Sequence, residues 1–386
     1  MGGSIMASTI NSDTSNGLIL TPDTTGEIEL QSAGTTQAKI TSSGLQNASG
    51  VAITAQSGKN LIINGDMAID QRNAGASVTF VNGQYGVDRW KGYLTQASKY
   101  TVQQNAGAIT PPAGFNYYLG ATSSSAYTTL AADYFAISQP IEGLNSAHLN
   151  WGTANAKTVT LSFWTRSSLT GTFGGAVGNN NGTRGYPFTY TISVADTWEY
   201  KTVTISGDTT GTWLETNGLG IIIYWSLGTG TTYSGTGGAW AGSYYASATG
   251  ATSVVGTSGA TLYITGVQLE VGTTATPFEN LQYTTQLALC QRYYERVVSS
   301  FAQAVLGDTY ATSASPVPTI NLAFKQTKRV LPTMATVGTF TTSNTQGVQQ
   351  LFGGENVFSA YFLAAAAGRS YFYPTANSGW SAASEL

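Results

Sequence analysis

The side chains with most chemistry to offer in this chain are aromatic and neutral rather than ionisable. In "SLGTGTTYSGTGGAWAGSYYASATG", residues 226–250, Tyr233, Trp240, Tyr244 and Tyr245 stand among glycines with no strand pattern to bury them. An aromatic face offers a large, rigid apolar surface at little entropic cost, and neutral hydroxyls and amides supply hydrogen bonds. That pairing suits a sugar, which presents C–H patches and hydroxyls together. A second stretch, "GAVGNNNGTRGYPF", sets Asn179, Asn180, Asn181 and Arg184 beside Tyr186. Both stretches have plainer readings: the rings fold back as a satellite cluster or meet another protomer, and the Asn-Gly run is an ordinary β-turn.

Catalysis finds less to stand on. Glycan cleavage needs two carboxyl groups roughly 5–9.5 Å apart. Asp66 with Asp70, and Asp196 with Glu199 around Trp198, are near in sequence, but spacing does not show convergence. The sole histidine, His148, sits in "LNSAHLNW", and neither a G-x-S-x-G elbow nor a phosphate-binding loop is present. The expectation is a protein that is not an enzyme. One Cys and one His do not build the usual N/S zinc site, and Cys290 is expected as a buried small apolar group.

Composition excludes further classes. Only 9 % of residues are charged, the net charge is −3, and Lys and Arg are scattered, so a nucleic-acid partner is not expected. Yet 8 Trp, 22 Tyr and 14 Phe supply more apolar area than a disordered chain carries. The start, "MGGSIMASTINSDTSNG", has no basic segment followed by an apolar one, and no apolar run of 18 residues follows. Neither a signal peptide nor membrane insertion is expected.

The elements that must position these side chains are mainly strands. Residues 1–59 contain no aromatic residue, yet Ile28/Leu30 and Ala38/Ile40 alternate between Gly and Thr turns. Such a segment is either a tail or a slim β trunk in which identical chains pool small apolar faces, and the alternation favours the trunk. Residues 60–280 read as short strands separated by turn residues, including "TVTLSFWT", where Val159, Leu161 and Phe163 share one face, and "GIIIYW", apolar throughout and expected to be covered on both sides. Trp90, Trp164 and Trp198 are expected in the core. From residue 281, "LQYTTQLALCQRYYERVV" has helical spacing and "TINLAFKQ" alternates again, so 281–386 is expected as a small α+β domain. The fold class expected is mainly all-β: a β-sandwich jelly roll between a slender β trunk and that terminal domain.

Three stretches together, "NLIINGDMAIDQR" with "YGVDRW", "ITGVQLEVGTTATPFE", and "LALCQRYYE", resemble bacteriophage tail-fibre or receptor-binding proteins with a carbohydrate-binding-module-like jelly roll of the galactose-binding type. "SAASEL" weakly matches the end of that family. The resemblance implies a virion protein made in the bacterial host cytoplasm, a homotrimer held to other virion proteins through residues 1–59, that presents β domains to host-surface polysaccharide. The fold serves equally in spacers and head decorations, so a structural virion component without glycan binding stays open. Many jelly rolls of this kind hold a structural calcium; Asp66 and Glu270 are the matching acidic positions, against the simpler reading that both accept loop amides.

Overall fold

A computed structural model describes residues 28–32, 34–41, 44–47, 58–299, 307–312 and 319–386. The chain divides into two compact units, 1–57 and 58–386.

In the first unit, β1 (Ile28–Ser32), β2 (Thr35–Thr41) and β3 (Gly44–Asn47) form an antiparallel meander. The pairs Ile28↔Ile40 and Leu30↔Ala38 lie on one face, while Glu29 faces Lys39 on the other at 2.9 Å. Leu30 and Ile40 remain 45 % and 39 % exposed, because three short strands without an aromatic residue have nothing to fold over them.

The second unit opens with β4 (Val78–Thr79), β5 (Lys91–Leu94), β6 (Tyr100–Gln104), β7 (Leu119–Ser123), β8 (Tyr134–Glu142) and the short α1 (Gly143–Ser146). There follow β9 (Val159–Ser167), β10 (Gly171–Asn179), β11 (Gly185–Ile192), β12 (Glu199–Ile205), β13 (Leu219–Thr229), the two-residue β14 (Ser234–Gly235) and β15 (Ser247–Ala248), and β16 (Thr261–Val271). They make a jelly-roll sandwich: a five-stranded sheet ordered β11-β10-β13-β8-β5 faces a six-stranded sheet ordered β12-β9-β16-β7-β6-β4. Period-two alternation builds the interface. Val159, Leu161 and Phe163 of β9, and Ile221, Ile223 and Trp225 of β13, point into one buried core with Trp90, Phe135 and Phe173. The same alternation turns Ile222 and Tyr224 outward, where a second cluster with Ala136 and Ala176 covers them. The "GIIIYW" strand is therefore central and covered on both faces.

Alternation also corrects the tryptophans. With Phe163 inward, Trp164 must face out, where it pairs with exposed Tyr200 on β12 at 5.4 Å. Trp198 is half-buried against Tyr118 and Tyr263 outside the core, its indole N–H donating to the Thr110 carbonyl at 2.9 Å. Trp90 is in the core as expected.

Beyond the sandwich, α2 (Tyr283–Gln291) is one short helix, and "RYYERVV" leaves it for a strand from Tyr294, in keeping with the strand preference of its tyrosines and valines. Its buried face holds Gln286, Cys290 and Gln291 rather than a leucine stripe; Leu289 is exposed. Then β17 (Tyr294–Ser299), β18 (Gly307–Ala311), β19 (Thr319–Ala323), β20 (Thr333–Val337), β21 (Phe340–Ser343), β22 (Thr345–Gly353), β23 (Val357–Ala364), β24 (Gly368–Pro374) and β25 (Ser378–Ala383) form three small sheets, β17-β25-β20, β18-β24-β21 and β19-β23-β22. Each has one of the last three strands at its centre, so three runs of chain nest as a folded ribbon around Phe324, Phe358, Phe362, Phe372 and Trp380.

Candidate functional site

Residues 226–250 are not a free loop. After β13 the chain crosses back over the outer face of the five-stranded sheet as a strap, with β14 and β15 pairing side by side. That face is lined by Gly174, Ala176 and Ala136, and the room they leave is filled: a Cβ at Gly174 would strike Ser247, Ala248 and Ala251 of the strap. Tyr244 enters a nest of tyrosines, 5.7 Å from Tyr224, 6.0 Å from Tyr93 and 5.4 Å from Tyr233, which itself meets Tyr134 at 5.1 Å. Tyr245 packs over Gly235 and Gly185. Burial pushes the Tyr244 and Tyr224 hydroxyls far above their ordinary range, and Tyr134 up to about 12. Tyr233, Tyr244 and Tyr245 thus spend much of their apolar surface fastening the strap.

Trp240 belongs to a different group. The strap is pinned to β11 by Gly238 N–H donating to the Pro187 carbonyl at 2.9 Å and by paired amide bonds between Gly185 and Ala241. From there the Trp240 indole N–H reaches the Ser206 carbonyl, beyond β12, at 2.7 Å. Its ring lies 5.2 Å from Trp151, 5.4 Å from Trp213 and 5.2 Å from Tyr186, all near edge-on. Trp151 is buried, its N–H on the Lys157 carbonyl; Trp213 is half-buried, its N–H on the Thr210 carbonyl. These side chains come from the segments flanking the starts of β9, β11 and β13 and the ends of β10 and β12, which antiparallel topology gathers at one end of the sandwich.

The second predicted stretch arrives at the same end. Asn179 is a buried hub: its carbonyl oxygen accepts the amides of Thr183 and Arg184, and its amide donates to the Thr183 hydroxyl and the Thr212 carbonyl. This leaves Asn180, Asn181 and Thr183 exposed at the tip. Arg184 forks onto buried Asp208, Nε and Nη2 at 2.6 and 2.7 Å from the two carboxylate oxygens, with its guanidinium 5.9 Å from the Trp240 ring. The bonds to Asp208 hold Arg184 above its ordinary pKa. Of the sequence candidates, Trp240 and Arg184 meet, and Asn180 is exposed on the turn that leads into Arg184; Tyr244 and Tyr245 lie against Gly182 and Gly185 of that segment, and Tyr233 packs with the tyrosine nest. Trp151, Trp213 and Asp208 were missed. "NWGT" and "GTWLE" carried the available signal, a Trp flanked by turn residues without alternation.

The acidic positions are engaged elsewhere. Glu270 accepts the Thr276 amide at 2.8 Å, the Thr276 hydroxyl at 2.6 Å and the Gln268 amide at 2.8 Å, with the Lys59 ammonium 4.0 Å away. Asp66 accepts from Gln286 and from the Ala68 amide, and burial raises its pKa. Calcium needs converging oxygen acceptors, whereas N–H donors and an ammonium crowd Glu270, so these two residues do not fit the calcium the resemblance implies. No cluster of three metal-ligating His, Cys, Asp or Glu occurs among the described residues. Asp196 pairs with Arg166 at 3.0 Å, Glu199 with Lys201 at 2.6 Å, and His148 lies at the surface, where partial desolvation and then the charge of Lys157 lower its pKa. Among the described residues no helix is long and apolar enough to cross a membrane.

No family model matches the sequence, and no curated protein matches it. Among solved structures, the enzymatically active domain of tailspike protein 4 of bacteriophage CBA120 is 13% identical over 56% of this chain and 22% of its own, with a TM-score of 0.29. This chain therefore spans less than a quarter of that one. A family 11 carbohydrate-binding module of Clostridium thermocellum, solved with a mixed-linked tetrasaccharide, is 12% identical over 52% of this chain and 97% of its own, TM-score 0.25. The xylan-binding domain of Paenibacillus barcinonensis Xyn10C is 12% identical over 53% and 99%, TM-score 0.24.

Proposed function

We propose that this chain is a fibre protein of a phage virion that attaches to host-surface glycan, binding rather than cleaving it, through the aromatic end of its sandwich. The observation that carries this reading is the state of Trp240 and Trp213. Both rings are half-exposed, and both indole N–H groups are already spent on backbone carbonyls. What each ring has left to offer a ligand is its apolar surface, which suits C–H stacking. On the turn before Arg184 the exposed amides of Asn180 and Asn181 are placed for a sugar's hydroxyls, while the Thr183 hydroxyl is held between Asn179 and Asn181.

The trunk sheet supports the fibre part of the reading. Its apolar face of Ile28, Leu30, Ala38 and Ile40 is too small to close alone, and identical copies pooling such faces would form a homotrimer that multiplies weak single-site binding. The test compares wild type with Trp240→Ala and Trp213→Ala for binding to host cells and to their extracted polysaccharide, after light scattering shows unchanged oligomers. Each variant is expected to lose about tenfold in affinity per site, from loss of one stacked ring. Wild-type binding to neither target would favour a structural virion component instead.

A further inference from the structure

Resting on that reading of the sandwich end, we propose that the site selects uncharged sugars, and that Asp208 sets this selectivity by occupying Arg184. An arginine beside two tryptophans would by itself invite an acidic sugar, since a guanidinium fork matches a carboxylate. Here the fork is taken. Nε and Nη2 hold the two oxygens of Asp208, whose side chain is 2 % exposed, and the Asp208 carboxylate is braced in turn by the Thr210 amide and hydroxyl, both at 3.2 Å.

The guanidinium is also held in place. The arginine stem lies so close to Gly211 that a Cβ there would meet its Cγ at 2.5 Å, and Gly211 has a φ of +81°. A side chain wedged between Gly211, Asp208 and Trp240 does not swing out to an incoming anion without giving up two charge-assisted bonds. The remaining polar groups at the tip, Asn180, Asn181 and Thr183, are neutral. Lys157 is exposed and touches the cluster through its backbone carbonyl, which accepts the Trp151 indole N–H. The pair thus contributes a rigid, net-uncharged wall to the site.

The test measures binding of the purified full chain to a neutral oligosaccharide series and to a sialylated or uronate series of equal length, at low and physiological salt. Wild type should prefer neutral ligands, with little salt dependence. Asp208→Asn, which keeps the shape but frees the charge of Arg184, should gain about fivefold or more for acidic ligands, most clearly at low salt. Arg184→Gln combined with Asp208→Asn removes both charges and should lose the gain for acidic ligands, which attributes that gain to the freed guanidinium rather than to a change of shape. Wild type that binds acidic ligands as well as neutral ones, or an Asp208→Asn protein that folds and gains nothing, would overturn the assignment. Wild type that binds neither series would instead remove the glycan reading on which it rests.

Discussion

Replacing Glu385 by alanine should loosen the terminal sheets from the sandwich. Glu385 follows β25 and inserts its carboxylate between two arginines of the sandwich, 2.7 Å from Arg72 Nη2 and in contact with Arg89 Nη1. The Arg89 side chain is 1 % exposed and Glu385 10 %, so neither is rescued by water at once. Without Glu385, Arg89 keeps one carbonyl, that of Pro140 at 2.7 Å, and the Tyr293 ring at 3.6 Å. Arg72 would keep the longer, 3.6 Å approach to the Asp88 carboxylate.

Breaking a buried pair by removing one partner typically costs about 3–5 kcal/mol, and the partial exposure here argues for the lower end, about 3 kcal/mol. At roughly 2 °C per kcal/mol for a large domain, the melting temperature should fall by about 6 °C. Glu385→Gln, which can still accept hydrogen bonds from both guanidinium groups, should lose about half as much. Calorimetry reads the shift, and hydrogen exchange should show lost protection in 69–91 and 378–386 while the β9–β16 pairing stays protected. A variant that melts within 1 °C of wild type with unchanged exchange would refute the view that this carboxylate holds the two parts together.

Three other outcomes follow from buried or crowded positions. Burial pushes Asp88 up to about 7 against the pull of Arg72 and Gln71, so between its ordinary value and 7 the folded state binds the extra proton. Stability should therefore rise as pH falls from 7.5 to 5, by at most about 3 kcal/mol, and be lost as pH climbs through 7; Asp88→Asn should flatten that slope in melting experiments. Lys328, fully buried, pairs with Glu295 at 2.6 Å and donates to the Gln291 carbonyl at 2.5 Å, so Lys328→Met should cost about 3 kcal/mol in denaturant unfolding, and adding Glu295→Leu should recover part of it. Gly174→Val should drive the strap off the five-stranded sheet, with a cost of about 1–3 kcal/mol and new protease cleavage within residues 230–250.

The parts of the molecule that obey a local period were legible. Val159, Leu161 and Phe163 announced an inward face, and "GIIIYW" announced a strand covered twice. The same rule, carried one residue further, places Trp164 outside, on the face opposite Phe163. The strap was harder: glycines in 226–250 looked like freedom, but the segment lies close on the sheet, with Ser247 and Ala248 over Gly174 and with Ser243 and Tyr245 over Gly185, and that complementarity belongs to strands read separately. The sandwich end was half visible. Trp240 and Arg184 were both noticed, yet their joining depends on where 151, 208 and 213 come to rest, and nothing in linear spacing brings those five positions together.

Apart from "ITGVQLEVGTTATPFE", whose bonds run to the sandwich strands, to residues 58–60 and within its own turn, the stretches that carried the family resemblance share a physical task. "YGVDRW" supplies Tyr85, Asp88 and Arg89; "NLIINGDMAIDQR" supplies Gln71 and Arg72; "LALCQRYYE" supplies Arg292 and Tyr293; "SAASEL" supplies Glu385. In the fold Gln71 holds Asp88 and the Tyr294 carbonyl, Arg292 and Tyr293 close on Glu142, and Tyr85 reaches the Leu386 carbonyl at 2.6 Å. These are bonds between the sandwich and the terminal sheets, in a buried network where loss of one charge strands another. A network of that kind restricts its residue types whatever the protein binds. The proposed ligand end draws on none of them: Trp151, Asn180, Arg184, Asp208, Trp213 and Trp240 all lie outside those motifs. The motifs therefore speak for how the parts are joined, and the proposed specificity rests on turn residues outside them, so Asp208→Asn is expected to change ligand preference without disturbing the joint.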